Sequence, residues 1–323
     1  MKYSKLFLTL IVTCACLFSC NQSNKKSDFT YQIKFVKGFT NNKIEVLDFG
    51  GSGQAILFLT GLGNSAHVFV DFAPKFTDKF HVYAMTRRGF GASDQTVNGY
   101  GIDTLSKDIF AVVKALDLIK VILIGHSIAG DEISKFASSY PGKADKIIYM
   151  DAAYDRMTMN DTSLPAPAFP NLTTKDSSSV ENLNAFVLKV TGVMMPDEEL
   201  KNTELFSKDG KFVKHVSPDS IQGLIMRGIE HPDYKDISCP ALAIYAVHKS
   251  VKEIFPFYDS LNDIDKKKAD TAFIILAKWQ REQREVFTNE VKNGTAKEIH
   301  GADHYIFISN PDETEKLIRE FLK

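Results

Sequence analysis

Val121-Ile122-Leu123-Ile124-Gly125-His126-Ser127-Ile128-Ala129-Gly130 is the stretch on which this chain turns. Four apolar and mostly β-branched residues call for a short strand buried on both faces. Asp131 to Ser139 then has helix-forming composition, so Ser127 falls on a sharp turn between strand and helix. Such a turn pushes the serine hydroxyl out of the sheet and sets it at a helix N-terminus. There the free N–H groups and the helix dipole favour a developing negative charge. An ordinary strand-to-helix turn could also contain Gly and Ser, so the six residues around Ser127 need support from the rest of the chain.

Outward from this turn the chain alternates. Tyr31–Val36 and Lys43–Phe49 read as extended, and Gly50-Gly51-Ser52-Gly53 ends the second. Ala55–Leu59 is another continuous apolar run, followed by a predicted helix over Val68–Phe76 and a strand over His81–Met85. Helical periodicity covers Ile102–Leu118, with Ile109, Val112, Val113 and Leu116 on one face. Lys146–Met150 continues the pattern after the helix that follows Ser127. Strands separated by helices of this length predict an α/β fold with a mostly parallel sheet and right-handed crossovers.

The alternation breaks between Ala152 and about Asp236, a stretch holding Pro165, Pro167, Pro170, Pro196, Pro218 and Pro232. Helical patches lie near Asn182–Val190 and Ser217–Ile229. The strand Ala241–Tyr245, a helix over Lys267–Lys292, the strand Ala296–Ile299 and a helix over Asp312–Leu322 resume it. An insertion above the C-terminal edge of an open α/β sheet reads as a lid, because ligands bind at that edge. The expected division is a core of 29–151 and 237–323 with a lid of 152–236.

The first 19 residues read as a signal peptide: Lys2 and Lys5 precede an apolar core, Leu6–Phe18, too short to anchor stably across a bilayer. Leu17-Phe18-Ser19-Cys20 resembles a bacterial lipobox, which makes Cys20 the candidate lipidated N-terminus; an ordinary cleavage nearby is the alternative. Residues 20–28 then form a polar tether, and the expected location is the bacterial cell envelope, held to a membrane by its lipid. Of the four cysteines only Cys239 lies in the folded body, so neither an internal disulfide nor a cysteine zinc site can form there. Net charge is −1, and −3 once Lys2 and Lys5 are removed with the signal, which gives nucleic acid no basic surface. No metal motif or cofactor signature appears.

Four local motifs, in this order of elements, resemble those of the α/β-hydrolase superfamily across nearly all of residues 29–323. The turn around Ser127 resembles the family's nucleophile elbow, with Ala129 where a second glycine is usual. Thr60-Gly61-Leu62-Gly63-Asn64-Ser65 is similar to its His-Gly-x-Gly loop, with Thr60 in place of histidine. Arg88-Gly89-Phe90-Gly91-Ala92-Ser93 resembles a structural loop of the family, with Thr86 replacing its aspartate. Gly301-Ala302-Asp303-His304 follows the last strand, where the family carries its catalytic histidine. The resemblance implies an α/β-hydrolase fold with the lid between core strands 6 and 7. It also implies Ser127 as nucleophile, His304 as base, and the amides of Leu62 and Ile128 as oxyanion hole. Histidine's ordinary pKa near neutrality suits both taking and returning a proton.

The acid is the difficult member. The family's usual place, after the seventh core strand, reads Ala246-Val247-His248-Lys249-Ser250 without a carboxylate. Asp151 at the end of the sixth strand is the expected substitute, Asp155 the alternative, and a Ser–His dyad the third possibility. The reading is a serine hydrolase that cleaves small carboxylic esters or thioesters through an acyl-enzyme, without cofactor. Two alternatives stand beside it: an aminopeptidase of the proline-iminopeptidase type, using Glu181, Asp197, Glu198 or Glu199 to hold an amine, and an inactive binding module at the surface. Phe169, Phe186, Val193, Met194 and Met195 are expected to give the lid an apolar acyl pocket.

Overall fold

Ala55–Leu59 and Val121–His126 are buried at every position, as strands covered on both faces must be. They form the middle of an eight-stranded sheet in the computed structural model, which describes residues 30–159 and 164–323. The expected signal, the tether and Cys20 lie outside the described residues. The strands are β1 (Gln32–Lys37), β2 (Lys43–Gly50), β3 (Ala55–Leu59), β4 (His81–Met85), β5 (Val121–His126), β6 (Ala144–Met150), β9 (Ala241–Val247) and β10 (Gly294–His300). Their spatial order is β1-β2-β4-β3-β5-β6-β9-β10. β2 is antiparallel to both β1 and β4; every other neighbouring pair is parallel. A short β7–β8 hairpin (Glu204–Phe206 and Phe212–His215) makes a separate ribbon. This is the α/β-hydrolase fold.

Helices cover both faces. On one face α1 (Ile102–Ala115), α2 (Ala129–Ser139) and α6 (Asp263–Glu290) bring Ile109, Val112, Ile133, Phe136 and Phe287 onto the sheet. On the other, the short helix α7 (Ile306–Ser309) and α8 (Pro311–Leu322) supply Phe307 and Ile318. The helix expected over Val68–Phe76 is instead two 3₁₀ turns, Ala66–Phe69 and Ala73–Phe76. Pro74 opens the second turn, where a continuing helix would need its missing N–H. The two turns still deliver Phe69, Phe72 and Phe76 to the ring of Phe58, at centroid distances of 5.2, 6.1 and 6.0 Å.

Between β6 and β9 the chain makes α3 (Val180–Thr191), α4 (Asp197–Thr203), the β7–β8 ribbon and α5 (Asp219–Arg227). α4 is pinned down: Leu200, with Val193 and Met195 before it, is buried in the same apolar cluster as Phe69 and Phe307. α5 packs elsewhere, its Ile221 and Ile225 buried against Phe90, Tyr100 and Ile128. The expected acyl-pocket residues are therefore dispersed. Val193 and Met195 belong to the core, the Phe169 ring lies tilted against that of Phe257 with centroids 5.0 Å apart, and Met194 is exposed. Apolar side chains in a surface excursion first satisfy the nearest core, which local sequence does not reveal.

Candidate active site

Two residues at the ends of neighbouring strands have left-handed backbones that glycine would normally occupy: Ser127 at φ 55° after β5 and Asp151 at φ 46° after β6. Non-glycine residues in this region persist only where the surroundings over-determine them. Here Ser127 N–H donates to Met150 O at 3.3 Å, and Asp151 N–H donates to Ile244 O at 2.7 Å. The elbow then enters α2, whose Gly130 lies so close to Ala152 that an added Cβ would sit 2.0 Å from its carbonyl oxygen. The close approach thus falls one residue beyond Ala129, and alanine fits where the usual second glycine was missed.

Asp151 is buried and meets His304: Nδ1–H of the ring donates to Oδ2 at 2.6 Å. Its other oxygen accepts Ala246 N–H at 3.1 Å and the Tyr154 hydroxyl. Burial pushes this carboxyl up, but the hydrogen bond and charge of His304, with the Tyr154 bond, outweigh it and hold it below the usual carboxylate range. Asp155 points elsewhere: one oxygen caps a 3₁₀ turn at Met157 N–H, and the other pairs with His231 Nδ1 at 2.8 Å. Asp303, beside His304, accepts Tyr305 N–H at 2.9 Å and so shapes the turn that presents the ring.

His126 supports the same ring from below. Fully buried, it donates from Nε2 to the His304 carbonyl at 3.0 Å, with ring centroids 4.6 Å apart. Burial, then the neighbouring His304, hold its pKa well below the ordinary value, so it stays neutral. His248 occupies the place after β9 where an acid is usual; it too is buried, and burial lowers its pKa. A neutral imidazole there leaves Asp151 as the carboxylate beside His304.

Leu62 and Ile128 fall in one apolar cluster with Ile221 and Ile225 of α5, so the loop after β3 and the start of α2 face each other under the insertion. Among the described residues neither of their amides donates a backbone hydrogen bond. The loop is gripped by Arg87, whose guanidinium donates to Gly61 O at 3.0 Å and Thr60 O at 2.6 Å while its Nε bonds Glu132 on α2. Arg87, Tyr154 and His248 carried no motif of their own in the sequence; their roles rest on contacts that folding makes, of Arg87 with Thr60 and Gly61, of Tyr154 with Asp151, and of His248 with the Asp151 charge. Among the described residues no group of three or more His, Cys, Asp or Glu could hold a metal ion. Cys239 is a half-buried free thiol, pushed up to about 11 by burial.

The family model described as "alpha/beta hydrolase fold" matches residues 54–188, which contain both the Leu62 loop and the Ser127 turn. A non-heme chloroperoxidase of Streptomyces lividans is 37% identical over 94 residues, 28% of this chain and 34% of that protein. A 2-(acetamidomethylene)succinate hydrolase of Mesorhizobium japonicum is 30% identical over 101 residues, 31% of this chain and 36% of that protein. The matched stretches span about a third of the length of these curated relatives. A crystal structure of E-2-(acetamidomethylene)succinate hydrolase superposes with a TM-score of 0.66 at 18% identity, covering 91% of this chain and 99% of that one. The family match over residues 54–188 and the structural likeness agree with the sheet order in giving this chain the α/β-hydrolase fold.

Proposed function

We propose that this protein is a serine hydrolase that cleaves carboxylic esters or thioesters through an acyl-enzyme. The observation that carries the reading is the buried Asp151 carboxylate 2.6 Å from His304 Nδ1, beside a serine held at φ 55°. In this reading Ser127 Oγ attacks the acyl carbon as His304 Nε2 takes its proton, and the carbonyl electrons move to oxygen. The Leu62 and Ile128 amides stabilise that oxyanion. Collapse expels the alcohol or thiol, which takes the proton from His304. Water, deprotonated by the same ring, then attacks the acyl-enzyme and frees the acid and Ser127. Asp151 holds the productive tautomer and stabilises the imidazolium.

The insertion acts as a cap. Ile221 and Ile225 of α5, packed around Ile128 with Leu62 alongside, favour an apolar acyl group over a charged one. The aminopeptidase reading loses its amine-binding candidates: Glu181 and Asp197 are exposed, Glu198 is bonded by the Tyr31 hydroxyl at 2.5 Å, and Glu199 is buried. Fluorophosphonate labelling of residues 21–323, followed by a panel of acyl esters, tests the function. Label on wild type but not on Ser127→Ala, with ester turnover that disappears in the same variant, is expected. An unlabelled wild type would favour the binding module. Export and lipid anchoring through Cys20 belong to the same proposal: Cys20→Ser should release the protein from the membrane fraction. Unchanged fractionation, with no fatty-acid label on wild type, would overturn the anchor.

A further inference from the structure

Glu199 on α4 is 1% exposed, yet the reaction proposed above gives it no task. Its Oε1 accepts the Asn64 side-chain N–H at 2.9 Å and Ser65 N–H at 3.0 Å, and its Oε2 accepts the Ser65 hydroxyl at 2.5 Å. Both partners close the loop that carries Leu62. Asn64 also accepts, through Oδ1, the Tyr305 hydroxyl at 3.2 Å, and Tyr305 directly follows His304. The Tyr305 ring in turn lies 4.8 Å from that of His126, the residue after Gly125 in the elbow. One carboxylate from the insertion therefore touches the end of the Leu62 loop and, through Asn64, the segment bearing His304. Arg87 holds the other end of the same loop from the core side.

A mere staple for α4 would not need this group. Leu200 is already buried in the core cluster, and the Tyr31 hydroxyl bonds Glu198. Burying a carboxylate costs several kcal/mol unless its bonds are well made, whereas an apolar side chain would fasten the helix without that cost. What a carboxylate offers, and an apolar residue does not, is three directed acceptor bonds onto two consecutive loop residues. An amide works as an oxyanion donor only when it is held close to the position the charge will occupy, so the register of this loop matters to the rate.

We propose that Glu199 is a positioning residue: reaching in from the insertion, it fixes Asn64 and Ser65, and so holds the Leu62 amide in register with His304. The inference rests on the ester or thioester reading above. It makes the insertion a working part of the oxyanion site as well as a cover.

The test uses the full chain and one short-chain p-nitrophenyl ester. Variants are Glu199→Gln, Ser65→Ala and Tyr305→Phe, each with a thermal melt, and Ser127→Ala is measured beside them. Glutamine keeps the shape and one acceptor oxygen but sets an N–H where the Ser65 hydroxyl donates, so that hydroxyl must turn round and the three-bond grip on the loop is lost. Glu199→Gln is expected to lower kcat by about 10- to 100-fold, with KM within about threefold. Ser65→Ala is expected to lower kcat by about tenfold, and Tyr305→Phe by a smaller factor. Affinity for a trifluoromethyl ketone that mimics the tetrahedral oxyanion should fall in step with kcat/KM, while binding of the product acid stays unchanged. A purely structural residue would move the melt and leave this split untouched. Folded Glu199→Gln with kcat within twofold of wild type overturns the proposal. If Glu199→Gln does not fold, kcat within twofold of wild type in both Ser65→Ala and Tyr305→Phe overturns it instead. Activity surviving in Ser127→Ala would sink the hydrolysis reading itself, an outcome distinct from any result at Glu199.

Discussion

Asp151, at the end of β6 in the core, and Glu199, on α4 of the insertion, are each 1% exposed and each accept three hydrogen bonds. Their protons nevertheless respond in opposite ways. Asp151 is held below the usual carboxylate range, because one of its donors is an imidazole that can carry positive charge. Glu199 is pushed up to about 7: its burial dominates, and its donors are an amide side chain, a backbone N–H and a hydroxyl, all neutral. Equal burial and equal bond count therefore do not set the charge of a buried carboxylate. Between these two, the difference lies in the partner that can carry charge. In the reaction proposed here the ionised group is the one that must stabilise an imidazolium, and the other needs only to hold a loop.

The largest effect that could break this comparison is at Asp151. Asp151→Asn keeps the shape and removes the charge, and kcat/KM is expected to fall by roughly 10³- to 10⁴-fold with the melt in place. Asp155→Asn should stay within a few-fold of wild type, since Asp155 pairs with His231. Steady-state kinetics of both on one ester decide it; a crippled Asp155 variant beside an active Asp151 variant would overturn the acid assignment.

A smaller effect is expected on the core-side grip of the Leu62 loop. Arg87→Lys keeps the charge but loses the planar fork that reaches Thr60 O and Gly61 O together. A drop in kcat of about tenfold, with little change in KM, is expected. No change in kcat would mean that the loop holds its register without Arg87.

The smallest effect reads the protonation of Glu199 through stability. Its pKa is raised from 4.5 to about 7, so the folded chain keeps this proton where the unfolded chain has lost it. The contribution is therefore fully present below pH 4.5 and is lost as the pH rises through 7. Glu199→Gln lacks that ionisation, so the stability gap between wild type and variant should shift in favour of the variant from pH 5 to pH 8. Thermal melts of both proteins at the two values measure it. A gap that does not shift toward the variant would show that the carboxylate, with His67 near it, is ionised throughout.

The sequence by itself determined the α/β alternation and the placing of Ser127 on a strand-to-helix turn, because both are local. Continuous apolar runs such as Ala55–Leu59 can be satisfied only inside a sheet covered on both faces, and a one-residue turn is written in adjacent positions. The break in periodicity after Ala152 marked the insertion for the same reason, although the β7–β8 ribbon within it and the two 3₁₀ turns around Pro74 were not legible. Only the tertiary structure decided which carboxylate meets His304. Asp151 and Asp155 are four residues apart and chemically alike, and the backbone turn at φ 46° aims one at a ring 153 positions away and leaves the other to His231. The same holds for Glu199. In the sequence it is one of three consecutive acidic residues on a helix, a pattern that normally means solvent. It is buried because Leu200, Val193 and Met195 draw α4 onto the core and bring its carboxylate against Asn64 and Ser65. Long-range packing, not local preference, sets the environment of a side chain, and with it the charge that side chain carries.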